Sequence, residues 1–567
     1  MPKSFKHSNL EIPSVGQVKL QSFIVILDII LVSWIVIQPT AETRSKRMFE
    51  TNVAMYKPFS TPFHWFALLL NVLLCMDVLA QPSTCSELIK LDKDEGQQFI
   101  AGTTAEGYYI ASENERSHAV ELRYYTHADF QLKKTVRIDL PEGNKDQRFE
   151  QLLYLTDGFI VFTGGYSKES EQYQIMATVL DSEGQKVYPP SLVHYTMDQT
   201  SAKQLKFMAV TSPDATKILL LFDSKVEQKK DAPLSLKVYD RDLELLWEKE
   251  LELPYQTDIL EVHNYAIDDN ADVFLMSGRN PEKDQTGPRT IQIGKHAVFY
   301  YSHANNKLKE YSVGLRDKQV VSAIFEVHTS GDLMIAGYYS NDAEFAAAGT
   351  FLFTIAAGGG AVKAASLMPF SKDFLLKFMR EKQLEQRPTL TDYYLDHLLF
   401  TKDGQILLVG EQYYVTEAIS ADPMTGNQQR EYRYHFDNII ATLLNPEGRQ
   451  QWSAKISKAQ YVLTNPTYCS YALFQKGEGW EFYFNDALEN ESKLSSLTDG
   501  EATAWGGGSR SQVTCVSLDT SGLAQRHRFC SNEEDGLLLE PTLSRSAQES
   551  QMILRRVKGR QVRYCRK

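Results

Sequence analysis

From Tyr393 the chain reads YYLDHLLFTKDGQILLVGEQYY, and from Asn438 it reads NIIATLLNPEGRQQWSAKI. Each half is a pair of short apolar runs around a tight polar turn, Asp403-Gly404 in the first and Asn445-Pro-Glu-Gly448 in the second. Runs rich in branched and aromatic residues, bounded this way, read as antiparallel strands joined by hairpins whose glycine supplies positive φ. The same order recurs on both sides. A turn followed by an apolar strand stands at Glu106-Gly107-YYIA, Asp157-Gly158-FIVFTGG, Asp214-ATK-ILLLF, Asn270-AD-VFLMSG, Ser330-Gly331-D-LMIAGYY and Gly477-EG-WEFYFND. A further strand, turn and return strand follow from Glu121, Tyr173, Leu234, His296, Thr350 and Gln512. A fourth, less regular strand precedes most turns, as in ILEVHNYAI from Ile259.

Antiparallel strands in one recurring order, with almost no helix, predict an all-β fold, a β-propeller of about seven four-stranded blades. A doubly wound α/β fold would need a helix between successive strands. The helix expected here is Phe374 to Glu385, capped by Ser371, within a helical insertion (371–391) between units five and six. That insertion should sit outside the strand array as a partner-specific feature. The Ala- and Gly-rich stretch Ala346 to Ala365 reads as a poorly packed region. The strands from Met552 and Gln561 could close the ring with the segment near Cys85.

Two apolar runs precede the propeller, assigned to 81–567. The first, FIVILDIILVSWIVI from Phe23, is short for a bilayer span and contains Asp28. The second, Trp65 to Leu79, follows Lys57 and ends at Val78-Leu79-Ala80, the pattern of a signal peptide over 55–80. On this reading translation starts at Met48 or Met55, residues 1–54 are an upstream extension or weak membrane segment, and the mature protein begins at Gln81. The expected location is secreted, periplasmic or outer envelope, with no stable membrane insertion after cleavage.

The chain has 567 residues, 43% hydrophobic and 23% charged, with a formal net charge of -12. That composition is globular, and the negative charge argues against nucleic acid as a partner. Five cysteines follow Ala80 with no C-x-x-C pair, so neither a zinc nor a redox motif is read. Cys85 and Cys565 flank the two ends of the propeller and form the disulfide candidate. Pairing of Cys515 with Cys530 is disfavoured, because the Asp519 to Gly522 turn sets Cys515 opposite Gln525 or Arg526.

The strings YYLDHLLFTKDGQILLVGEQYY, DNIIATLLNPEGRQQWSAKISKAQ and EFYFND from Glu481 resemble, in the same order, the C-terminal halves of uncharacterised secreted proteins of Bacteroidetes. The resemblance covers the last third of the chain. It implies an envelope or extracellular location and carries no activity.

Motifs for Ser hydrolases, zincins, P-loops, dinucleotide folds and kinases are absent from the sequence. No catalytic residue, metal ligand or cofactor is assigned. Asp268-Asp269-Asn270-Ala271-Asp272 begins like a calcium loop but has Val273 where glycine is required, and is read as an acidic turn. Asp396 and His397 stand beside Glu411 on neighbouring strands, although adjacent strand residues face opposite ways. Tyrosines come in pairs, so one of each pair can pack while the other lines a surface. Tyr339, Tyr394, His397, Glu411 and Tyr413 are therefore the candidate ligand-binding residues, suited to a protein or glycan partner. The basic segment Arg555 to Lys567 is read as a closing strand with a solvated face. These readings favour a non-catalytic binding or scaffolding module. The alternative is a propeller hydrolase or lyase acting on extracellular polysaccharide in the central channel.

Overall fold

A computed structural model describes residues 84–566 apart from 105, 117–118, 139–147, 156, 197–204, 225–233, 254–259, 280–295, 342–345, 422–427, 464–465, 494–500 and 548–550. Both N-terminal apolar runs and the cleavage site lie outside the described residues. The described chain forms eight antiparallel sheets. Seven follow the repeats and run in simple order from first to fourth strand: blade 1 (95–138), blade 2 (148–196), blade 3 (205–251), blade 4 (260–313), blade 5 (319–369), blade 6 (393–456) and blade 7 (472–531). Blade 8 joins C-terminal strands to the segments Thr84–Cys85 and Ile89–Lys90, which lie along Gln561–Arg566.

First strands touch those of the next blade from blade 1 to blade 6, blade 7 touches blade 8, and blade 8 touches blade 1. Blades 6 and 7 share a core of Val409, Ile439, Phe482 and Val516. The ring is therefore an eight-bladed propeller with first strands innermost. The expectation of about seven blades counted the internal repeats. The eighth escapes that count because its strands come from both chain ends and share no repeated turn.

Closure is covalent: Cys85 and Cys565 lie opposite each other with Cα atoms 4.0 Å apart and are disulfide-bonded. Cys469, Cys515 and Cys530 are free, and Cys515 stands opposite His527.

Hairpin glycines behave as the turn chemistry requires, with φ of +75° at Gly448 and +83° at Gly522. Asp519 Oδ1 accepts the amides of Ser521 and Leu523, and Asp268 Oδ1 those of Asn270 and Asp272. The acidic run at 268–272 is hairpin structure, and Asp272 also accepts from the Tyr300 hydroxyl and the His303 amide.

The insertion is two short helices, α1 (Lys372–Leu375) and α2 (Glu381–Gln386), in place of the single helix expected. Ser371 caps α1 through the Phe374 amide. Phe374, Leu375, Leu384 and Leu390 are buried with Leu352, Tyr393 and Ile440, so the insertion belongs to the core between blades 5 and 6 and does not lie outside the array. Its apolar residues need the break in the helix to face that core together. The Ala-rich stretch is also packed: Ala346, Ala347 and Ala348 are buried, as are Phe351 and Leu352.

Candidate functional site: the arm face of blades 6 to 8

Strands alternate in direction, so the connections from first to second and third to fourth strands share one face of the ring. The connections from second to third strands, and from blade to blade, share the other. Tight turns occupy the former. The latter carries the helical insertion, the crossings after blades 6 and 7, and one long ribbon.

That ribbon is the hairpin Ile406–Ala421 with Gln428–Leu444, the longest strands among the described residues. Only its base belongs to the blade. From Tyr413, opposite Phe436, pairing continues to Ala421 opposite Gln428, an arm of roughly 30 Å at the usual rise per residue. Tyr461–Val462 adds a short strand against Tyr434 and His435.

The arm has two sides. On one, Tyr413 and Phe436 are buried at its root with Val462, Cys469 and Trp505, while Ile419 further out is 60% exposed. On the other, Tyr414 lies flat on His435 with ring centroids 4.4 Å apart, Tyr461 follows at 6.1 Å, and the Arg433 guanidinium covers Tyr461. Thr416 Oγ1 bonds His435 Nε2, and the Tyr414 hydroxyl donates to Asp437 at 2.9 Å. Burial, then the nearby Asp437 charge, raises the Tyr414 hydroxyl pKa, and burial lowers that of His435.

Beneath the arm runs a buried polar network. Glu411 is 2% exposed; its Oε1 is 2.8 Å from Lys458 Nζ, and its Oε2 accepts from Ser470. Lys458 also donates to the Phe436 carbonyl and to Gln460, whose amide donates to the Asn485 carbonyl in blade 7. Asp486 accepts from Asn490, Thr514 and Arg526, and Arg526 reaches back to the Ser457 carbonyl. Asn485 bonds Asn532, and Asn532 accepts from Arg556, which with Arg563 pairs Asp535. Arg555 pairs Glu540. Arg555 and Arg556 are each 3% exposed, so these basic residues of the closing strands pair internally and do not form a solvated face. Cys469, buried among these groups, has its thiol pKa pushed up to about 12, chiefly by burial.

The structure brings four of the five candidate residues toward this region. Glu411 is the ion-paired carboxylate, Tyr413 roots the arm, and Tyr394 packs against the same cluster. His397 meets the Tyr471 ring edge-on, and Tyr471 donates to Asp396. The two neighbours approach one tyrosine because the register shifts between Leu395 and His397, which breaks the alternation. Burial lowers the His397 pKa to about 4, so it is neutral near pH 7. Tyr339 lies apart, 4% exposed in the core between blades 4 and 5, and Tyr338 and Tyr393 are buried too. The paired tyrosines are mainly blade core.

Sequence reading missed the arm and the network. Between Tyr414 and Asn438 the chain is polar and charged; its one signal is the alternation of Tyr432, Tyr434 and Phe436. The network's members lie far apart in the chain. Among the described residues no three His, Cys, Asp or Glu side chains stand where they could hold a metal ion, and no helix is long and apolar enough to cross a membrane.

No protein-family model matches the chain, and no curated protein matches it in sequence. Among solved structures the chain is similar to the β-propeller domain of the Trilobed protease from Pyrococcus furiosus, at 8% identity over 81% of this chain and 98% of that one, with a TM-score of 0.33. It is also similar to an apocarotenoid oxygenase of Synechocystis (10% identity, 64% and 74% covered, TM-score 0.32) and to an α-L-arabinofuranosidase of Fusarium graminearum (9%, 62% and 96%, 0.28). Propellers host many activities, and likeness at these identities carries none of them over.

Proposed function

We propose that this chain is an exported, non-catalytic β-propeller acting as a binding or scaffolding module in the cell envelope or outside the cell. Its ligand, a protein segment or a glycan, is engaged along the aromatic side of the blade 6 arm. The arm carries this reading. A two-stranded ribbon is marginal on its own in water, yet this one projects well beyond its blade with a Tyr–His–Tyr stack and an arginine along one side. Aromatic faces with a few placed polar groups suit sugar rings and extended peptides.

The carboxylates beneath the arm support binding over hydrolysis. Glu411, Asp486, Asp535 and Glu540 are each engaged by a Lys or Arg, and His397 is held neutral. A hydrolase or lyase needs an acid and a base free to exchange protons with substrate. Export is supported by the disulfide, which fits an oxidising compartment, and by the signal-peptide pattern ending at Ala80.

The test is an array of extended peptides and cell-surface polysaccharide fragments probed with the wild-type chain and with Tyr461→Ala and Arg433→Ala variants. We expect non-covalent capture weakened at least about tenfold by either change. Cleavage products from any polysaccharide, or capture indifferent to both changes, would overturn the reading. N-terminal sequencing of exported material should start at Gln81; residues 1–54 on the secreted form would refute the processing scheme.

A further inference from the structure

Outermost strands are the rim of a propeller, and their free edges invite association unless charges guard them. Here the outer strands carry such guards: Lys133, Lys134 and Arg137 in blade 1, Lys249 in blade 3, Lys307 and Lys309 in blade 4, Lys363 in blade 5, Lys455 in blade 6, Arg526 and Arg528 in blade 7, and Lys90 in blade 8. The outer strand of blade 2, Ser191–Thr196 (SLVHYT), carries none.

The same sector gathers exposed apolar side chains. Of fifteen large hydrophobics exposed among the described residues, six lie here: Val187, Tyr188, Leu192 and Tyr195 on blade 2, and Leu245 and Leu246 on blade 3, each between 43% and 53% exposed. Val187 sits on the same edge as the outer strand, its amide bonded to the Val179 carbonyl. The Tyr188 hydroxyl donates to Asp242 at the head of the blade 3 hairpin, which joins the two halves into one strip. The register shift between Leu192 and His194 spoils the edge for strand addition, so contact must be made by the side chains.

We propose that this strip is the contact between two copies of the chain. Six half-exposed side chains of this size offer on the order of 500 Å² per copy, and two strips face to face reach about the 1,000 Å² at which specific interfaces begin. Self-contact suits the charge pattern: the strand at the centre is uncharged, and the acidic residues Asp242 and Glu244 stand at one end of the strip. A two-fold axis sets those acids at opposite ends of the contact. An anionic membrane is disfavoured by the same acids. Blade 2 lies four blades from blade 6 in a ring of eight, so the pair would hold its two arms outward. The inference stands independently of what the arms bind.

Sedimentation of the full chain across micromolar concentrations is the test, with Leu192→Glu and Tyr195→Glu placed in the strip and Leu308→Glu on the blade 4 rim as the control. Wild type and Leu308→Glu should sediment as dimers, tightened by added salt. Both strip variants should be monomers with unchanged circular dichroism, their dissociation constants raised at least about a hundredfold. A monomeric wild type, a dimer indifferent to both strip changes, or a strip that instead carries the monomer onto anionic vesicles would each overturn the proposal.

Discussion

Blades 2 to 4 and blades 6 to 8 solve the same packing problem with different materials. In the first group the contacts between blades are apolar: Phe162, Leu220, Phe222 and Tyr239 between blades 2 and 3, and Leu219, Val238, Val273 and Phe299 between blades 3 and 4. In the second group apolar cores persist, but a continuous set of buried ion pairs and amides is threaded through them toward the arm face. Apolar packing tolerates exchange of shapes, whereas a hydrogen-bonded network demands its own partners. The polar half is thus the specified half, and it carries the arm.

The comparison can be broken at its seam first. Replacing both Cys85 and Cys565 by Ser frees the outer strand of blade 8, and the chain-entropy estimate for so long a loop is on the order of 5 kcal/mol. Denaturant unfolding should show a loss of that size; an unchanged midpoint would mean that pairing alone closes the ring. Next, Arg526→Ala strands the buried Asp486 and should cost about 3–5 kcal/mol. The paired change Arg526→Met with Asp486→Leu should recover most of this, whereas Leu220→Ala in the apolar half, expected to cost about 2–5 kcal/mol, has no such rescue by a neighbour. Equal behaviour in both halves would erase the distinction.

Acid reaches both halves alike. His194, stacked on Phe222, and His397 each have a pKa lowered to about 4, chiefly by burial. The ordinary value is about 6.5, so below it the unfolded chain takes up a proton that the folded chain refuses. Stability should therefore be unaffected by these groups at neutral pH and fall as pH drops from 6.5 toward 4, by at most roughly 3 kcal/mol per histidine. A variant carrying His194→Gln and His397→Gln should melt with a shallower acid limb; an identical profile would contradict the burial of both rings. Smallest of all, replacing residues 416–433 by an Asn-Gly turn should shift stability by no more than roughly 0.5 kcal/mol, because the distal arm packs on nothing in the ring. A large loss on calorimetry would place the arm in the core.

How much of this was legible follows from the range of each interaction. Asp403-Gly404 and Asn445 to Gly448 are local signals, and the hairpins they announce are present. The eighth blade depends on Cys85 meeting Cys565 across 480 residues, a pairing the disulfide arithmetic could suggest and the repeat count could not. Asp396 and His397 were read by strict alternation, which a register shift cancels. Lys458, Asn485, Asp486 and Asn532 look like ordinary loop and strand polars in the chain; their partners lie in other blades, and nothing local marks them. The helical insertion shows the converse: Phe374, Leu375 and Leu384 spell burial plainly, and the polar run after them drew attention away.

Placing both ends of the chain in blade 8 also fixes how the molecule bears load. A pull on the chain ahead of Thr84 would, with pairing alone, peel two short strands from Gln561–Arg566 one hydrogen bond at a time. With Cys85 bonded to Cys565, tension passes through the sulfurs into a strand only two residues from the other end of the chain, and the remaining seven blades carry none of it. A tether and a payload fastened to opposite termini would be joined almost directly, with the ring hanging beside the line of force as an unstrained platform.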